Sequence, residues 1–176
     1  AFLFAALALS ACGRERKNGI EPLVAGIASP FSLYFAKVAS LLAAAVLTAA
    51  AVAVLYLPPT ALLLGERFQI AEYLTFAGVF LLPMPVIAVL FGAGLYQLLR
   101  RFDLGFLLFA AFLILMAVFW SRGSYLGLWI DLGSTGVSDT LGNASIYRMA
   151  GYSRVLWLLL AAAFWALSAL FTRVYG

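Results

Sequence analysis

Histidine is absent from the 176 residues, and cysteine occurs once, at Cys12. A single thiol excludes a disulfide framework, and the lack of imidazole excludes a Cys/His zinc site and the commonest general base. Charge is also scarce: a tenth of the residues are Asp, Glu, Lys or Arg. There is no Gly-rich phosphate loop with a following Lys, no pair of carboxylates at useful spacing and no metal-ligand set. No catalytic or metal residue is therefore nominated, and the chain is not expected to be an enzyme by itself. Glu72 is the one acidic residue against an apolar span. Nearly chargeless spans argue against a proton or ion relay, so any work against a gradient must draw on another chain.

What is present is apolar. Two thirds of the residues are hydrophobic and the mean hydropathy is +1.09. A soluble domain of this length could not hide that much apolar surface, so part of its solvent is lipid. The apolar runs are long and continuous rather than alternating, which disfavours a β-barrel. The expected fold is all-α: a single transmembrane domain over 1–176, polytopic, with the lipid bilayer as its surroundings. Net charge is +4. The basic residues cluster at span ends, the pattern of cytoplasmic loops, and no nucleic-acid partner is expected.

Residues 1–12 are read as the end of a partial N-terminal span. A second reading takes Leu9-Ser10-Ala11-Cys12 as a lipoprotein cleavage box, against which stand the lack of a basic stretch ahead of it and the placement of Arg14, Arg16 and Lys17 outside. Residues 13–37 form the longest polar segment before 121. Within them Ile20, Leu23, Val24, Ile27 and Ala28 recur at i, i+3, i+4, i+7 and i+8, one apolar helix face. Asn18 and Gly19 are plausible caps, Pro22 suits a first turn and Pro30 stops the run. Such a helix, about 15 Å long, is too short to span and lies along the membrane surface.

Four complete spans are expected at 38–57, 73–99, 104–120 and 155–172. Pro58-Pro59 ends the first, whose small residues fall in two rows: Ser40, Ala44, Thr48 and Ala45, Ala49, Ala53. Pro83 and Pro85 bend the second near its middle, as a pathway hinge or as a static kink. Arg100, Arg101 and Asp103 make a tight turn. Residues 121–152 form an outer, re-entrant or interfacial loop, and Trp120, Tyr125 and Trp129 suit the membrane interface. Alternating sides put Arg14, Arg16, Lys17, Lys37, Arg100, Arg101 and Arg173 on one face and Arg67, Arg122, Arg148 and Arg154 on the other. That asymmetry places residues 13–37 in the cytoplasm.

This order of parts resembles the membrane (permease) subunit of ABC-type exporters of the second exporter class, read from their second to sixth spans. Glu15, Arg16 and Lys17 precede Gly19-Ile20-Glu21-Pro22-Leu23, and Pro30-Phe31-Ser32 follows before Lys37. The proline-bearing span with its basic turn is a second match, and the loop closing with Ser153–Leu160 a third. The interval from Glu21 to Pro30 is longer than the family's. The resemblance implies that Glu15, Arg16, Lys17, Glu21, Pro22, Leu23, Val24 and Ile27 form an ATPase-coupling site, with Pro83 and Pro85 in a pathway helix. It implies as partners a cytoplasmic ABC ATPase subunit, which binds ATP and Mg, and a second permease subunit as homo- or heterodimer. This chain itself would bind no cofactor and would sit in a bacterial inner (plasma) membrane. The alternative function is a non-transporting scaffold or assembly factor that recruits a soluble partner through the surface helix.

Overall fold

The computed structural model describes residues 1–19, 29–121 and 144–170. Among the described residues six α-helices follow in order: α1 (Phe2–Lys17), α2 (Pro30–Leu64), α3 (Ile70–Phe76), α4 (Pro83–Leu99), α5 (Phe102–Ser121) and α6 (Ala144–Ala169). A short 3-10 turn (Gly65–Arg67) follows α2, and a widened π turn (Ala77–Leu81) joins α3 to α4. No strand occurs among the described residues. Among the described residues four stretches are long and apolar enough to cross a membrane, Phe31–Arg67, Ile70–Leu99, Phe102–Phe119 and Tyr147–Ala169, alongside the shorter apolar helix Phe2–Arg14. The protein is an integral membrane helix bundle.

α4 is the hub, touching α1, α2, α5 and α6. Lipid tails are as apolar as leucine, so helices in a bilayer gain from close packing rather than from hiding apolar surface. α4 meets that demand with small residues. At Gly92 a Cβ would lie 2.9 Å from the Ala5 carbonyl oxygen, and at Gly94 it would lie 2.7 Å from the Phe164 ring. Phe91 then reaches Phe112 of α5 at 5.2 Å and Trp157 of α6 at 6.2 Å between ring centroids. These three rings mark the middle of the bundle. Cys12 is buried in the same core, inside a continuous helix, which suits a packed span segment.

Several expected boundaries move. Pro58 and Pro59 do not end the first span: α2 runs through both to Leu64. The lost amides leave the carbonyls of Val54 and Leu55 without their usual i+4 donors, but a solvated or headgroup-level turn tolerates that. Pro30 starts α2, with Ser29 as its cap: the Ser32 amide donates to Ser29 Oγ at 3.2 Å, and Ser32 Oγ donates to the Ser29 carbonyl at 2.9 Å. Residues 30–37 are therefore helix rather than surface segment, and residues 13–17 belong to α1. At the other end α6 begins at Ala144, so 144–152 are helical and not loop. Arg148 and Tyr152 look loop-like in sequence, yet they sit on the exposed side of that helix. The turn at Arg100 is as expected: Arg100 adopts φ 51 and its amide donates to the Tyr96 carbonyl at 2.7 Å.

Candidate functional site

Helix direction sorts the ends. Gly13 packs on Tyr96, Leu9 on Gly105 and Phe35 on Trp165, so the C-termini of α1, α4 and α6 gather with the N-termini of α2 and α5. Arg14, Lys17, Lys37, Arg100 and Arg101 lie at or near that end. At the opposite end are Arg67, Glu72 and Arg148.

The expected coupling residues divide. Glu15, Arg16 and Lys17 form the last turn of α1, at the basic end. Glu21, Pro22, Leu23, Val24 and Ile27 lie outside the described residues, as do Arg122, Tyr125, Trp129 and Arg173. Beside Lys17 a cleft of about 620 Å³ opens between α1 and the α4–α5 turn, with Arg100, Phe102 and Asp103 on its far wall.

Pro83 and Pro85 are both buried at the start of α4, at the opposite end of the bundle from Lys17. Proline lacks the amide and its ring crowds the carbonyl four residues earlier. The turn ahead of Pro83 widens in response: the Leu82 amide donates to the Ala77 carbonyl at 3.0 Å, a five-residue step. Ala45 shares a cluster with Val89, while the Tyr73 hydroxyl donates to the Ala53 carbonyl. Ala53 and Leu81 line a common cleft, and the Tyr73 side chain reaches across it to the Ala53 backbone.

This second cleft, of about 500 Å³, lies between the α2–α3 hairpin and Tyr147 of α6. Its upper rim carries Thr60, Arg67, Gln69 and Glu72. Its lower wall is aromatic, with Phe76 and Phe80 at 5.0 Å and Phe80 and Tyr147 at 6.2 Å between centroids. Counting 1.5 Å per residue from Ala45 near mid-bundle, Ala53 to Tyr56 lie roughly 12–17 Å out, at the hydrocarbon boundary.

Beside Phe80 sits a residue that the charge pattern sets on the less basic side, between the loop 121–152 and the last span. Arg154 lies inside α6, one turn from Trp157, and is 2% exposed. Its guanidinium carbon stands 5.6 Å from the centre of the Phe80 ring, within cation–π range. A signal for it existed: Ala150, Arg154, Trp157, Ala161 and Ser168 are all buried and follow helical spacing. Among the described residues no three of Cys, Asp and Glu come together as metal ligands.

No family model matches this chain, and neither a curated protein nor a solved structure matches it.

Proposed function

We propose that this chain is the permease subunit of an ATP-driven ABC-type exporter, working with a separate cytoplasmic ATPase and a second permease subunit. The observation that carries the reading is the proline-bearing hub. The span Ile70–Leu99 carries a widened turn ahead of two buried prolines, and its lower half, α4, packs against four other helices. A change of bend there alters all four contacts at once, which is what switching a membrane half between two openings requires. The resemblance of residues 13–37 to a coupling segment supplies the handle, and the basic end supports its cytoplasmic placement. α2 presents most of its surface outward, leaving room for a second membrane subunit. ATP and Mg belong to the partner, which closes around nucleotide and pulls on the segment. The nearly chargeless spans suit a lipid-like or drug-like cargo, in a bacterial inner membrane.

The test is a pair of variants at the handle. Charge reversal at Arg16 and Lys17, or Leu23→Asp, should uncouple ATP hydrolysis from export while the spans still assemble. Unchanged ATPase co-purification and unchanged export in both variants would remove the docking assignment. Capture of a soluble protein lacking ATPase activity through the same segment would replace the exporter by a scaffold.

A further inference from the structure

We infer that the cleft between α1 and the α4–α5 turn holds one anionic phospholipid of the phosphatidylglycerol class, its phosphate at Lys17 and Arg100 and an acyl chain along Leu7 and Leu3. The assignment does not rest on the transport reading. Three observations carry it. The first is depth. Ala8 and Val89 share a cluster with Ala45, near mid-bundle. Counting 1.5 Å per residue from Ala8 and from Val89 sets Lys17 and Arg100 roughly 13–17 Å out, where hydrocarbon gives way to headgroups. Leu7 and Leu3 line the same cleft and continue from that rim into the hydrocarbon.

The second is charge. Lys17 and Arg100 are positive and Asp103 is negative, so the cleft lining is left with one positive charge in excess. Asp103 lies in the first turn of α5, where a helix N-terminus favours a carboxylate. A head with one net negative charge balances the excess, whereas a zwitterionic head leaves it standing. The two cations come from opposite walls, Lys17 from the last turn of α1 and Arg100 from the left-handed residue that closes α4. A phosphate between them accepts a charge-assisted hydrogen bond from each side. The third is shape. Below the basic rim the walls are apolar, and Leu3 and Leu7 are exposed. On the facing wall Phe102 stacks on Phe106 at 5.8 Å, and Phe106 meets Phe2 edge-on at 4.5 Å between centroids. The volume of about 620 Å³ lies within the roughly 300–1,000 Å³ of small-molecule sites. A free phosphate would leave these walls uncovered; a lipid fills rim and groove together.

Native mass spectrometry of the full chain, released from nanodiscs of equal phosphatidylglycerol and phosphatidylethanolamine, reads the occupant directly. The wild type should retain one phosphatidylglycerol in preference to phosphatidylethanolamine. Lys17→Gln should lower that preference by about fivefold, the worth of one basic residue beside an anionic head. Asp103→Asn removes the one negative charge among the lining residues and should raise it. Arg101→Gln, at the same end but outside the cleft lining, should leave it unchanged. Ser10→Trp fills the groove with every charge intact and should abolish retention, which a free phosphate at the rim would survive. All four side chains are exposed, so folding is expected to survive, and a thermal melt of each variant checks it. Equal retention of the two lipids by the wild type overturns the assignment. So does a loss in Arg101→Gln that matches the loss in Lys17→Gln, or a wild-type pattern in Ser10→Trp.

Discussion

Arg154 puts a permanent charge on the buried face of α6, where its neighbours along the stripe are apolar. An intramembrane arginine survives only where the bundle interior solvates it, and here the face of Phe80 supplies part of that environment. The pair should therefore behave as a coupled unit. In a double-mutant cycle with Arg154→Met and Phe80→Leu, unfolding in detergent should give a coupling of about 0.5–2 kcal/mol. Arg154→Lys should recover only part of it, because an ammonium lacks the planar face that stacks on the ring. At Gly92 the constraint is steric. An added Cβ meets the backbone of Ala5 rather than the end of a flexible side chain. Gly92→Ala should cost about 1–3 kcal/mol by the same measurement, since α1 must move away. Gly151, with open space at its Cβ, is the control: Gly151→Ala should be neutral or stabilising by up to about 1 kcal/mol.

At the scale of elements, two proline pairs behave in opposite ways. Pro58 and Pro59 lie on an exposed stretch of α2 and are passed over, whereas Pro83 and Pro85 are buried and coincide with a five-residue step in the hydrogen bonding. A buried backbone must satisfy its groups within the protein, so the ladder shifts register instead of leaving them to water. Replacing both buried prolines with alanine returns the amides and removes the reason for the wide turn. Pro83→Ala with Pro85→Ala should therefore return this stretch to ordinary i+4 bonding, read as protected amides at positions 83 and 85 in hydrogen exchange. On the exporter reading the same change alters transport rate more than assembly. The two rows of small residues in α2 also part company. Ala45 and Ala49 are buried, while Ser40, Ala44 and Thr48 face outward. Thr48 Oγ1 donates to the Ala44 carbonyl at 2.7 Å and Ser40 Oγ to the Lys37 carbonyl at 2.8 Å, so neither hydroxyl needs a neighbouring helix.

For the whole molecule, the length of α2 is the notable dimension. Its 35 residues extend about 52 Å, well past the roughly 30 Å of hydrocarbon. With Ala45 near mid-bundle, the end at Leu64 stands about 28 Å out. Leu62 and Leu63 are 84% and 86% exposed there. Single cysteines at 62 or 63 should therefore react with a membrane-impermeant thiol reagent, whereas one at 47 should not, in a Cys12→Ser background. On the proposed orientation the reactive pair is labelled from outside the cell, and a cysteine at Asn18 only after permeabilisation.

Composition and periodicity alone determine that this chain is a helical membrane protein, where its apolar runs fall and which ends are basic, because the bilayer's thickness and its intolerance of unpaired backbone act on any sequence locally. The turn at Arg100 and the break near Pro83 belong to the same class, being set by residues a few positions apart. Tertiary structure decides the rest. Whether a proline ends a helix, whether an arginine caps a span or lies buried on its stripe, and whether Arg67 and Glu72 share a cleft all depend on which face a neighbour covers. Those neighbours are remote in the chain, as Ala53 is from Tyr73 and Phe80 from Arg154.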